Sequence, residues 1–159
     1  MTISYRLEIA TPLPLVQVAR ELVEVARLWG LFDPSVSPER VREDGAVTNL
    51  ETWVRVYDAT PESWYSIVTD LGITPTVGIG FQLHKHDKIF EQQDDLVRLA
   101  SGVLDRIPGD ALLSGMEQIW LMRRDGDLSV NESDEIWPPH RLAALRQPYH
   151  RATHTFAEE

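Results

Sequence analysis

The sequence predicts an α+β domain, with a mainly antiparallel sheet and two principal helices packed on one face. Three observations predict it. Ile3, Tyr5, Leu7 and Ile9 alternate with Ser4, Arg6 and Glu8, the period of a strand with one buried face. Two long stretches, one ending at Gly30 and one before Pro108, repeat apolar residues at helical spacing. Short β-rich runs lie around them, punctuated by Asp44-Gly45 and Asp125-Gly126, dipeptides suited to tight turns.

In chain order, the first strand covers Met1 to Ala10. Thr11-Pro12-Leu13-Pro14 breaks it and opens a helix, because proline suits a helical first turn. Leu15, Val18, Ala19, Leu22, Ala26 and Trp29 form the apolar stripe of that helix, and Gly30 ends it. Asp33 to Pro38 is a loop. Val41, Asp44-Gly45 and Ala46 to Leu50 read as a hairpin, followed by a strand over Thr52 to Tyr57. Asn49 to Glu51 fits either a bulge or a second turn, and Ser63 to Leu71 either a short helix or an irregular crossing. Thr76 to His84 is a strand with Val77, Ile79, Phe81 and Leu83 on one face. Gly78 and Gly80 lie on the other, where their missing side chains let something approach closely.

A long amphipathic helix runs from about Lys88 to Ile107, with Ile89, Gln93, Leu96, Ala100, Val103 and Leu104 along one stripe, and Pro108-Gly109-Asp110 stops it. Met116 to Arg123 is apolar on both faces at Ile119 to Met122, which places it centrally in the sheet. Asp125-Gly126 turns it into Leu128 to Asn131. Trp137-Pro138-Pro139 leads into a short helical stretch around Leu142 to Leu145. From about Gln147 apolar anchors are few, as in a loosely held tail. This order, read as one domain over residues 1–159, fits a ferredoxin-like arrangement with added strands.

Composition limits the function classes. A chain of 159 residues that is 43% hydrophobic can bury a core without disulfide or metal staples. With no cysteine, disulfide scaffolds, thiolate metal sites and cysteine nucleophiles are excluded. Arg6 and Glu8 interrupt the opening run, and no stretch of about 18 apolar residues occurs elsewhere, so neither a signal peptide nor a membrane span is expected. The expected location is the cytoplasm. The net charge of −10 repels phosphate backbones and anionic lipid and attracts basic partners, although solubility alone explains it equally well.

Each candidate chemistry has a plainer alternative. His84 and His86 lie two apart at a strand end, so both imidazoles could reach one metal ion, but a site needs further ligands. That pair supports the alternative reading of a small metal-binding domain or hydrolase. His150 and His154 share a face only if helical, and Arg151 stands where a metalloprotease needs glutamate. Gly78-Ile79-Gly80 lacks the third glycine and the helix of a dinucleotide loop. Glu91, Asp94 and Asp95 sit early in the second long helix, where its dipole favours acids. With Glu132, Asp134 and Glu135 they also offer carboxylate to a cationic partner. Asp125-Gly126-Asp127 is only a fragment of a calcium loop. Trp29 and Trp120 fall where the core should be, whereas Trp64 and Trp137 lie in polar surroundings and suit either interface anchors or loop covers. No catalytic or cofactor motif emerges. The residues point to partner binding without enzyme chemistry or a cofactor, and leave self-association open.

Several segments resemble the Sit-type immunity proteins. They are Ile3-Ser4-Tyr5 through Glu8-Ile9-Ala10-Thr11-Pro12-Leu13, Thr52-Trp53-Val54-Arg55-Val56, Gln92-Gln93-Asp94-Asp95 to Val97-Arg98-Leu99, and Asn131-Glu132 to Trp137-Pro138-Pro139-His140. The resemblance spans most of residues 1 to 157. It implies an immunity partner of a contact-delivered bacterial toxin, which neutralises that toxin by stoichiometric binding inside the cell. The acidic charge would suit a basic toxin. The resemblance itself maps no site; the acidic clusters and the tryptophan read above supply the expected partner contacts, Glu91, Asp94, Asp95, Glu132, Asp134, Glu135 and Trp137.

Overall fold

The computed structural model describes residues 3–85 and 88–156. Its elements, in chain order, are β1 (Ile3–Ala10), α1 (Leu15–Leu28), α2 (Pro38–Glu43), β2 (Ala46–Val47), β3 (Trp53–Asp58), α3 (Ser66–Thr69), β4 (Val77–Leu83), α4 (Ile89–Arg106), β5 (Asp110–Gly115), β6 (Gln118–Arg124), β7 (Asp127–Val130), α5 (Pro139–Leu142) and β8 (His150–Arg151). The strands make one sheet in the order β2-β3-β4-β1-β5-β6-β7-β8. Every pairing is antiparallel except β7 with β8. The expected α+β class, with two main helices on a mostly antiparallel sheet, is the one that forms. The chain leaves β1 through α1 and α2, re-enters at the edge strand β2 and steps inward through β3 to β4, beside β1; it leaves β4 through α4 and returns at β5, on the far side of β1.

Local sequence accounts for both ends of α1. Pro14 precedes α1, and its carbonyl accepts the first helical bonds, from Gln17 N and Val18 N. At the other end Gly30 takes φ of +65°, so Leu31 N reaches Ala26 O at 2.8 Å and Gly30 N reaches Arg27 O. These paired bonds satisfy carbonyls that a helix end leaves orphaned. Helices α1 and α4 pack together over the face of β1 that carries Tyr5, Leu7 and Ile9. Gly102 makes the close approach, since a methyl there would stand 2.4 Å from Val25 Cγ1.

Four details depart from the sequence reading. Asp44-Gly45 follows a helix instead of turning a hairpin. Ser37 Oγ accepts from Arg40 N, Pro38 starts α2, and Gly45 N bonds back to Arg40 O. Both roles exploit a positive φ, here +81° at Gly45, so the dipeptide could not distinguish them. The hairpin turn lies instead between Thr48 and Thr52, whose backbones bond at 2.9 Å. Strand β5 was not anticipated, because its short apolar run Ala111-Leu112-Leu113 is buried on both faces and shows no alternation. Trp29, expected in the core, is 43% exposed and stacks under Arg98. The stretch from 147, read above as a tail, runs beside β7 as β8, and Gln147 exchanges hydrogen bonds with Ser101.

Among the described residues, no long helix lies on the other face of the sheet. At one end the segment containing α3 covers it, with Ile67 and Ile73 packing on Leu112, Ile119 and Met122. The remainder, over β3, β4 and β1, stays open.

Candidate functional site

The open part of the sheet is a cleft of about 740 Å³, lined by Arg6, Glu8, Tyr57, Asp58, Trp64, Tyr65 and Phe156 among others. Strand periodicity builds its floor. Because Tyr5, Leu7 and Ile9 face the helices, Arg6 and Glu8 face the cleft. Register places Glu8 between Gly78 on β4 and Leu112 on β5, and it places Tyr57 opposite Gly78. The Tyr57 ring lies directly on Gly78, where a Cβ would meet its Cζ at 2.4 Å. That contact is the close approach for which the two glycines leave room.

Glu8 is 9% exposed. Its ion pair is with Arg6, at 3.3 Å, and it accepts no hydrogen bond from a described residue. Burial pushes its carboxyl above the ordinary value, with Arg6 opposing. Burial also raises the Tyr57 phenol, helped by the Glu8 charge and opposed by Arg6. At the rim, Trp64 is 69% exposed and makes an edge-to-face contact with the exposed Tyr65 at 6.1 Å. A carboxylate at the floor of a slot with aromatic walls suits recognition of a complementary group.

The acidic positions expected as partner contacts separate into two kinds. Glu91, Glu132, Asp134 and Glu135 are exposed. Asp94 is instead engaged inside the molecule, accepting from Arg141 Nε at 2.7 Å and lying 3.1 Å from His140 Nε2. Asp95 is buried and paired with Arg98, and burial raises its pKa. Trp137 is a correction to the expected contact set. It is fully buried, donates from Nε1 to Trp120 O at 2.8 Å and packs edge-on against the Trp120 ring. Its polar neighbours in sequence concealed an apolar pocket formed by β6.

His84 lies 3.4 Å from Glu51, and its backbone is held at both N and O by the buried Gln92. His86 lies outside the described residues. Among the described residues no group of three or more histidine or acidic side chains gathers to hold a metal. His150 stands near Asp127 and His154 near Ser129, so these two histidines serve different neighbours. Sequence reasoning missed Glu8 and Tyr57 as site residues. Glu8 registered only as a polar beat in an alternating strand.

Comparison with known proteins adds one match. A family model described as SitI3-like matches residues 3–141. No curated protein and no solved structure matches.

Proposed function

The chain belongs to the SitI3-like family of immunity proteins, and from that membership we propose that it neutralises its cognate toxin by stoichiometric binding in the cytoplasm. Immunity proteins of this family are typically non-enzymatic, and their membership implies toxin neutralisation. The observation that carries the binding mode is the open cleft, a concave face with exposed aromatics at its rim. The net charge of −10 supports a basic partner, because charge complementarity speeds encounter and disfavours wrong partners. No helix among the described residues is long and apolar enough to cross a membrane.

The test is co-expression with the toxin encoded beside this chain's gene, followed by co-purification. The expected result is protection of the cell and a 1:1 complex. Protection without a complex would replace binding with another mode of action, and absence of protection would end the immunity reading for that toxin.

A further inference from the structure

We propose that the cleft over β3, β4 and β1 receives a cationic side chain, arginine or lysine, from the bound toxin, with Glu8 as its counter-charge and Tyr57, Trp64 and Tyr65 as its aromatic walls. The proposal rests on the immunity reading and names the surface that reading requires.

Three observations select a cation. Glu8 stands at the cleft floor with Arg6 as its ion-pair partner, a guanidinium whose side chain is 62% exposed. An ionised carboxylate offers about four acceptor positions, and the single 3.3 Å contact leaves most of them unused. Among the described residues, the charged groups lining the cleft are two carboxylates, Glu8 and Asp58, against one guanidinium, Arg6. An anionic occupant would meet Glu8 at close range. Aromatic faces complete the fit, because indole and phenol rings attract Arg and Lys cations through their quadrupoles.

The rim selects a protein as the source of that cation. Trp64 and Tyr65 are 69% and 50% exposed, large surfaces of the kind that anchor protein interfaces. Both belong to the 59–76 segment and sit at the edge of the slot, where they would be covered only when a partner surface lies across it. The acidic character of the whole chain adds long-range attraction for the same partner.

The experiment uses the full-length chain and a catalytically inactive form of the toxin encoded beside it, with affinity measured by calorimetry. Glu8→Gln and Trp64→Ala are each expected to weaken binding by about tenfold or more. Glu43→Gln, an exposed acid on α2 away from the cleft, is expected to leave it unchanged. If the first two variants bind as the wild type does, the cleft proposal is overturned and the immunity reading stands. If the wild type neither binds nor protects, the immunity reading fails for that toxin, and a second probe judges the cleft. Acetyl-arginine amide titrated into the ¹⁵N-labelled chain should give a saturable shift of the Trp64 indole N–H. Acetyl-glutamate amide should give none, and Glu8→Gln should abolish the response. A Trp64 signal that ignores the arginine probe overturns the proposal. Should Glu8→Gln fail to fold, Trp64→Ala and Tyr65→Ala carry the test, since both side chains are exposed.

Discussion

Arg141 Nε lies 2.7 Å from Asp94 Oδ1, and this pair ties the C-terminal segment to α4. The guanidinium is almost wholly buried, donates a second bond from Nη1 to Ile136 O and stands 5.5 Å from the Trp120 ring centroid. Removing the carboxylate would leave a buried charge without its counter-ion. Asp94→Ala is therefore expected to cost about 3 kcal/mol in urea denaturation. Glu91→Ala, one exposed turn earlier, should stay within about 0.5 kcal/mol. Equal small effects would show that Asp94 is a surface acid after all.

The crossing of α1 and α4 makes a second prediction. Gly102→Ala places a methyl against Val25, a stiff β-branched side chain. Overpacking of about 1–3 kcal/mol opposes a helix gain of about 1 kcal/mol, so the net change should be destabilising. In a Val25→Ala background the contacts with Cγ1 and Cγ2 disappear and only Cβ remains, at 3.3 Å, so Gly102→Ala should become close to neutral or stabilising. Additive effects in this double-mutant cycle would contradict the packing described.

Glu8 makes stability depend on pH. Its carboxyl titrates above the ordinary value in the folded chain, so the unfolded chain loses its proton first as pH rises. Between the unfolded and folded values the native state holds the extra proton, and stability falls as pH increases. Glu8→Gln removes that dependence. The variant should match the wild type at low pH and gain on it as pH rises through the folded value, then hold a constant advantage. Denaturation curves between about pH 4 and 8 check this. A wild type more stable than the variant near neutrality would refute it. A carboxylate retained where burial costs stability suits a group kept for binding.

The exposed acids Glu132, Asp134 and Glu135 test the basic-partner expectation. Reversing all three to Lys should leave the melting temperature nearly unchanged, because they are surface substitutions. If the toxin approaches from that side, association should slow at low salt and converge with the wild type at high salt. An association rate unaffected at low ionic strength would remove this patch from the encounter surface.

Much of the candidate site lay outside the reach of sequence reading, and the reason is register. Glu8 and Gly78 oppose each other only because β1 pairs with β4, and Tyr57 reaches Gly78 only through β3. Nothing within a few residues of Glu8 records either partner. The opposite failure occurred at Trp137, where nearby Asp134 and Glu135 suggested an exposed aromatic. The bulge between β5 and β6 leaves Trp120 opposite no residue of β5, and its carbonyl accepts the Trp137 indole.

The amino-acid order by itself determined the alternation of β1 and β4, the apolar stripes and ends of α1 and α4, the Asp125-Gly126 turn and the acidic charge. Each is written within one or two turns of chain, where backbone geometry sets the period. Only the tertiary structure decided which strands became neighbours and which face the helices left bare. It also decided that a carboxylate, a phenol and an indole from three separate segments would surround one cleft. Those outcomes depend on pairings between residues as far apart as Tyr57 and Gly78, Glu8 and Gly78, and Glu8 and Leu112, and local periodicity carries no information at those distances.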